Sequence, residues 1–151
     1  MTKLHYTVYE YPLCRLKLGC SGEALVSLDF TDDPPGGEPT DLSTRADRQL
    51  REYFAGERRA FDLPLAPEGT DFQKKVWQEL LQIPYGETRS YKQLAAQVGN
   101  ERASRAVGGA LNKNPLAIVV PCHRVVGSDG SLTGFAGGVT LKAGLLKLEQ
   151  G

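Results

Sequence analysis

Apolar and polar residues alternate in three short segments near the start of the chain, and turn-forming residues separate them. Alternation with a period of two is typical of half-buried strands. The pattern predicts strands over residues 6–9, 15–19 and 24–30, connected by turns at 12–13 and 21–22. Residues 31–40 combine three prolines, two glycines and three acidic residues, and therefore predict a surface loop.

The apolar spacing then changes to that of helices. A helix is predicted over residues 44–55, with Leu50, Tyr53 and Phe54 on its buried side. Residues 63–69 contain two prolines and predict a linker. Thr70 and Gln73 then have the spacing of a capping box. They begin a helix that ends before Pro84 and has the apolar stripe Phe72, Val76, Leu80 and Leu81.

Two further helices follow, joined by a tight turn. The first covers residues 90–99 and has a capping box of Ser90 and Gln93, with Gly99 as its stop signal. The second covers residues 102–113. Its apolar face is Ala103, Val107, Ala110 and Leu111, and its other face carries Arg102, Arg105, Gly109, Asn112 and Lys113. Such a pair predicts a helix-turn-helix.

Gly108 and Gly109 lie inside the second of these helices. Each costs about 1 kcal/mol of stability relative to alanine in a helix interior. Tight packing against another helix of the same protein is one explanation, and close approach to another molecule is the other. Because Arg102, Arg105 and Lys113 flank the pair, a polyanion is the favoured neighbour.

The whole pattern predicts an α+β protein of two parts. Residues 1–69 form a small N-terminal scaffold domain with an antiparallel sheet and a helix. Residues 70–151 form a mostly helical domain that contains the helix-turn-helix and ends in a helix from about residue 140. The final helix has the apolar stripe Leu141, Leu145 and Leu148, with Glu149 on the same side.

Charge is divided unevenly between these halves. Residues 1–70 contain 8 Lys/Arg and 12 Asp/Glu, whereas residues 71–151 contain 10 and 6, and the net charge is zero. Phosphate affinity depends on local positive potential, so a nucleic-acid face is expected in the second half. No leader or membrane-spanning apolar run is evident, which predicts a cytoplasmic protein, or a nuclear one in a eukaryote, without membrane association.

The three cysteines, Cys14, Cys20 and Cys122, include no CxxC pair, so neither a disulfide framework nor a zinc ribbon is indicated. Cys14 and Cys20 are predicted to be core residues of the N-terminal strands. An incomplete metal site of these two with His5 is the alternative, and no metal or cofactor is expected.

Cys122 and His123 follow the apolar segment 116–120, which predicts a buried strand. A neighbouring imidazole lowers the pKa of a thiol and favours the nucleophilic thiolate. Neighbours on a strand point to opposite faces, however, so a packed core thiol is the alternative from this pair alone.

Several motifs together resolve that choice. They are Arg105-Ala106-Val107-Gly108-Gly109-Ala110, Asn114-Pro115 and Pro121-Cys122-His123-Arg124-Val125, with Tyr91, Gly137-Gly138 and Glu149. In this order and spacing they resemble the O6-alkylguanine-DNA alkyltransferases, also called methylated-DNA–protein-cysteine methyltransferases. The resemblance extends from Asp71 to Glu149, and before Asp71 it is limited to residues 50–56.

The resemblance implies single-turnover repair of DNA. The alkyl group moves irreversibly from O6-alkylguanine, with O4-alkylthymine as a second candidate substrate, to Cys122. His123 would deprotonate the thiol, and Glu149 would hold His123. Tyr91 would protonate guanine N3, and Asn114 would brace the active-site turn. The implied substrate pocket consists of Tyr91, Val125, Phe135, Ala136 and Gly137. Some relatives have tyrosine and serine where this chain has Phe135 and Ala136.

The resemblance also implies a monomer that binds double-stranded DNA in the minor groove and flips out the damaged nucleotide. Arg105 would fill the gap in the duplex. The other implied DNA-binding residues are Gln73, Lys92, Asn100, Arg102, Gly108, Gly109 and Ser128. Three rival functions are a lesion sensor, which would lack the nucleophile, a helix-turn-helix transcription factor and a Cys-His hydrolase.

Overall fold

A computed structural model of the chain describes residues 3–99, 101–132, 135 and 137–151, which form two compact units. The first unit comprises the chain up to Glu68 together with Pro115–Val119. The second comprises Gly69–Asn114 and Val120–Gly151. The segment Pro115–Val119, which the sequence pattern assigned to the second domain, thus packs within the first unit.

The first unit contains an antiparallel sheet with the strand order β3-β2-β1-β4. Its strands are β1 (Leu4–Glu10), β2 (Arg15–Ser21), β3 (Ala24–Thr31) and β4 (Gly36–Gly37). The first three confirm the predicted strands. The prediction of an uninterrupted loop over 31–40 was wrong at β4, where Gly37 pairs with Thr7 at a φ of 125°. A Cβ at this glycine would lie 2.3 Å from the Tyr6 carbonyl oxygen, so the pairing requires glycine.

Helix α1 (Asp41–Phe54) packs against β2 and β3. It begins three residues before its predicted start because Thr40 and Ser43 form a capping box. The Ser43 N–H donates to Thr40 Oγ1 at 3.1 Å, and the Thr40 N–H donates to Ser43 Oγ at 2.8 Å. The fully buried core of the unit includes Leu16, Leu18, Leu25, Leu28, Leu50 and Tyr53.

The second unit is mostly helical and confirms the predicted α+β class. Its helices are α2 (Asp71–Leu80), α3 (Tyr91–Gln97), α4 (Ser104–Asn112) and α5 (Val139–Gln150), with a 3-10 turn over Glu101–Ala103. The predicted capping boxes at Thr70 and Ser90 are both present, and Gly99 ends the α3 region at a φ of 99°. Among the described residues, no helix has the length and apolarity needed to span a bilayer.

Trp77 connects α2 to α4. The predicted stripe of α2 was correct at Val76 and Leu80 but wrong at Phe72 and Leu81, which are 37% and 46% exposed. Trp77 takes their place in the core, and its indole N–H donates to the Ala110 carbonyl at 2.9 Å. This bond fixes the last turn of α4 against α2.

The predicted strand over 116–120 was wrong. Leu116 makes a single parallel bridge with Leu28, and the chain then turns through Ile118, whose φ is 70°. Cys122–Arg124 form a 3-10 turn, and β6 (Val125–Val126) pairs in parallel with β5 (Arg89–Ser90). Every residue from 116 to 126 is buried. The apolar run over 116–120 therefore indicates a buried segment and not a strand, an ambiguity that is common for short apolar runs.

The predicted stripe of α5 was correct at Leu145 and Glu149 but wrong at Leu141 and Leu148. The buried residues of this helix are Lys142, Leu145, Leu146 and Glu149, whereas Leu141 and Leu148 are only partly buried. This set has helical spacing, but two of its four members are charged. Leucine positions alone therefore do not identify the buried face of α5, because Lys142 also belongs to it.

We expect the Trp77→Phe variant to lose about 1–3 kcal/mol of unfolding free energy, because it removes a buried hydrogen bond and leaves a cavity where the larger indole packed. The Ala110 carbonyl would keep only the Lys113 N–H, at 3.2 Å. Urea denaturation followed by circular dichroism measures this loss. Gln78→Ala changes an exposed residue of the same helix and should stay within about 0.5 kcal/mol of the parent. Equal stability of the two variants would contradict the role of the indole bond.

Candidate active site

A buried 3-10 turn places Cys122, His123 and Arg124 in succession, and Glu149 of α5 meets this turn. The His123 Nε2 atom lies 2.7 Å from Glu149 Oε2, and both side chains are completely buried. Cys122 as a whole residue is 9% exposed. Two of the predicted catalytic residues, His123 and Glu149, are therefore in direct contact, and His123 directly follows Cys122 in the sequence.

Arg124 holds the same carboxylate from the other side, which the sequence interpretation missed. Its Nε donates to Glu149 Oε1 at 2.7 Å, and its Nη2 donates to Oε2 at 3.1 Å. Its Nη1 donates to the Ile83 carbonyl at 2.7 Å. A carboxylate with a two-pronged guanidinium partner is held in its ionised form.

This ionised carboxylate decides the tautomer of His123. A carboxylate only accepts hydrogen bonds, so Nε2 carries the proton that Glu149 binds. Nδ1 is then the basic nitrogen, and it is buried with no hydrogen-bond partner among the described residues. Burial lowers the pKa of His123, and the bond to Glu149 only partly opposes this because Arg124 balances the carboxylate charge. The imidazole is therefore neutral and able to accept a proton.

Opposing effects act on the Cys122 thiol. Burial raises its pKa, while a hydrogen bond with the Asn114 side chain and the positive charge of Lys142 lower it. Asn114 Nδ2 also donates to the Val120 carbonyl at 2.8 Å, which braces the backbone immediately before the turn. Lys142 was not predicted as a site residue.

The predicted pocket residues differ in their burial. Tyr91 begins α3, is half-buried and lies under Lys142, whose Nζ is 5.8 Å from the ring centroid. Val125 is fully buried in β6. Phe135 and Gly137 are half-buried, and Ala136 lies outside the described residues.

The predicted DNA-binding residues of α4 form an open surface. Arg105 and Gly109 are exposed, and Gly108 is partly exposed. Within the part of the chain that is described, a Cβ added to either glycine would meet no atom within 4 Å. Packing among the described residues of the unit therefore does not require these glycines, which contradicts the alternative explanation of tight packing against another helix.

Four other predicted DNA-binding residues lie outside α4, in parts of the chain that the structure describes. Arg102, Lys92 and Ser128 are exposed. Gln73 has a structural task, since its Oε1 accepts the Thr70 N–H at 3.0 Å in the cap of α2. Asn100 lies outside the described residues.

Two family models match this chain. The model described as "6-O-methylguanine DNA methyltransferase, DNA binding domain" matches residues 71–151, and the model described as "6-O-methylguanine DNA methyltransferase, ribonuclease-like domain" matches residues 4–67. A methylated-DNA–protein-cysteine methyltransferase of Methanosarcina barkeri is 50% identical, over 97% of this chain and 98% of the relative. The protein of the same name from Mycobacterium tuberculosis is 47% identical, over 97% and 93%.

Solved structures agree with the sequence relatives. The crystal structure of Mycobacterium tuberculosis O6-methylguanine methyltransferase superimposes with a TM-score of 0.90 at 44% identity, over 98% of this chain and 93% of that one. The Mycobacterium tuberculosis protein in complex with DNA gives a TM-score of 0.87 at 44% identity, over 96% and 92%.

We expect Glu149→Gln to cost about 3–5 kcal/mol of stability, because it leaves Arg124 buried without a counter-charge. Glu87→Gln is the matched control. It breaks the exposed ion pair in which Arg89 Nη1 lies 3.3 Å from Glu87 Oε1. Because the Glu87 side chain is 54% exposed, the variant should lose at most about 1 kcal/mol of stability. Denaturant titration of both variants measures the contrast, and similar losses would contradict the importance of the buried cluster.

Proposed function

The chain belongs to the 6-O-methylguanine DNA methyltransferase family, and we propose that it repairs alkylated DNA by moving an alkyl group from guanine O6 onto Cys122. O4-alkylthymine is a second candidate substrate. The observation that carries the proposal is the buried Cys122–His123–Glu149 arrangement, in which the imidazole keeps a basic nitrogen without a partner among the described residues.

The reaction is an in-line displacement at the alkyl carbon. The thiol proton passes to His123 Nδ1, directly or through a water molecule, and the thiolate attacks the carbon. A new S–C bond forms as the C–O6 bond breaks, and the bonding electrons leave with guanine. Glu149 stabilises the imidazolium, as the acid does in other Cys-His-acid sites.

Tyr91 and Asn114 support this step. The departing guanine carries negative charge and takes a proton at N3 from the Tyr91 hydroxyl. Asn114 stabilises the sulfur through its hydrogen bond and fixes the turn through the Val120 carbonyl. The product is a thioether without a good leaving group, so each molecule acts once.

The outer face of α4 is the proposed DNA-binding surface. Exposed Arg102 and Arg105 would attract phosphates, and Gly108 and Gly109 leave space for close approach of a narrow minor groove. The lesion lies within the base stack, so the nucleotide must be flipped out at a cost of a few kcal/mol. Arg105 would occupy the vacated position. Lys92 and Ser128 would contact the backbone.

The direct test is incubation with a duplex that carries one radiolabelled O6-methylguanine. We expect one methyl group per protein molecule, located on the Cys122 peptide by mass spectrometry. Cys122→Ser should take up no label and still bind DNA, since phosphate contacts supply most of the affinity. Cys14→Ser, at a half-buried thiol of the first unit, is the matched control and should react normally. Label on Cys14 or Cys20 would overturn the assignment.

Arg105→Ala should slow repair of duplex DNA far more than reaction with free O6-benzylguanine. The free base needs no flipping, whereas a loss of about 2 kcal/mol in flipping corresponds to about a thirtyfold slower reaction in duplex. Arg48→Ala removes the same charge from an exposed position of α1 and should leave both rates unchanged. Equal losses on both substrates would show that Arg105 acts in the chemistry or the fold.

A further inference from the structure

Lys75 is an exposed lysine of α2 whose ammonium group lies beside the end of α3. A Cβ built on Gly99 would lie 3.8 Å from Lys75 Nζ. Gly99 is itself exposed and precedes the turn that leads from α3 to α4. Lys75 thus places a positive charge next to this turn, outside the DNA-binding surface proposed for α4.

The end of α3 has partial negative charge and no cation of its own. Carbonyl groups at the C-terminus of a helix carry a partial charge of about −0.5 in total. The last turn of α3 contains no basic residue. These carbonyl groups would repel a phosphate group that approaches the turn between α3 and α4. Lys75, which belongs to another helix, supplies the positive charge that offsets this repulsion.

Gln73, which the sequence predicted as the DNA contact of α2, is engaged in the cap of its own helix. Its Oε1 accepts the Thr70 N–H at 3.0 Å, and its backbone N–H donates to Thr70 Oγ1 at 3.1 Å. The Gln73 side chain is therefore turned back toward the start of α2, and the residue is partly buried. Lys75 is exposed and carries a full charge, so it is better suited than Gln73 to bind phosphate.

We propose that Lys75 binds a phosphate group of the DNA duplex next to the turn between α3 and α4. The proposal rests on the proposed function, because it extends the DNA-binding surface of α4 across this turn to α2. The lysine ammonium is a point charge with three donors on a flexible stem, which suits binding of phosphate in any sequence. The contact therefore orients the duplex without reading its bases.

The added surface is limited to the first two turns of α2. Phe72, three residues before Lys75 and on the same side of the helix, is 37% exposed. Glu79, four residues after Lys75, is also on this side and would repel phosphate. Lys74 is exposed as well, but it lies about 100° away around the helix. Lys74 therefore provides a matched control with the same charge and a different direction.

The first measurement is the salt dependence of binding to an undamaged duplex, followed by fluorescence anisotropy. Each phosphate contact contributes about −0.9 to the slope of log K against log salt concentration. We expect Lys75→Met to reduce the magnitude of this slope by about 0.9, which corresponds to about eightfold weaker binding at 0.1 M salt. Lys75→Arg keeps the charge and should retain the parent slope. Lys74→Met should also retain it.

The same loss should appear in repair of duplex DNA and not in the chemistry. At DNA concentrations below Kd and at 0.1 M salt, we expect Lys75→Met to slow alkyl transfer from a duplex about eightfold. Its reaction with free O6-benzylguanine should keep the parent rate, because the free base has no phosphate. Equal slowing of both reactions would show a defect of the fold and would contradict the proposal.

The second measurement uses the parent protein and does not depend on whether a variant folds. Acetic anhydride acetylates exposed lysines, and mass spectrometry of the peptides gives the rate at each one. We expect bound undamaged duplex to slow acetylation of Lys75 several-fold and to leave the rate at Lys74 unchanged. Equal protection of the two lysines would contradict a specific contact at Lys75.

The outcomes separate this proposal from the proposed function. If the parent protein transfers no alkyl group to Cys122, the proposed function fails. If transfer occurs but Lys75→Met keeps the parent slope, the role of Lys75 is wrong. Equal reductions of the slope in Lys74→Met and Lys75→Met would show an effect of net charge only and would also overturn it. A lower melting temperature of Lys75→Met with an unchanged slope would show a lysine that only stabilises the end of α3, which overturns it too.

Discussion

The second unit depends on the burial of one carboxylate. Glu149 lies completely buried at the end of α5, where an unpaired charge would cost several kcal/mol. Arg124 and His123 satisfy it, and Arg124 also binds the Ile83 carbonyl beyond the end of α2. One ionic cluster thereby fixes the last helix, the Cys122 turn and the end of α2 in a single geometry. The imidazole orientation needed for chemistry follows from the same bonds.

Burial and nearby polar groups have opposite effects on the pKa of the Cys122 thiol. Removal of water strengthens every electrostatic interaction in the site, yet it also penalises the thiolate itself. Asn114 and Lys142 offset that penalty from two sides, through a hydrogen bond and a positive charge. Burial remains the largest of these influences, so the pKa of the thiol stays raised and proton transfer to a base is needed to form the thiolate. An exposed thiol would escape the penalty, but water would then weaken the interactions that stabilise the leaving guanine.

Local signals in the sequence predicted local structure well. The capping boxes at Thr70 and Ser90 depend on four consecutive residues, so their spacing alone identified both helix starts. The motif around Cys122 and His123 indicated the chemistry, although the strand predicted before it is a buried turn. The missed residues, Arg124 and Lys142, are charged side chains inside the core. Hydropathy assigns such residues to the surface, and only tertiary contacts reveal that they are compensated. The signal that remained was helical spacing, since Lys142 precedes Leu145, Leu146 and Glu149 at intervals typical of one face.

Single-use chemistry relaxes a constraint that hydrolases must meet. A turning-over Cys-His enzyme has to admit water to its intermediate and then release a product, which requires an accessible sulfur. Here the expected product is a thioether that water does not cleave, so Cys122 can lie in a buried turn. The fold then has to withstand only one reaction. Added alkyl volume in such a packed site costs about 1–3 kcal/mol, against a total stability of roughly 5–15 kcal/mol. We therefore expect the close packing that keeps water out of the site also to make the reacted protein less stable than the unreacted one.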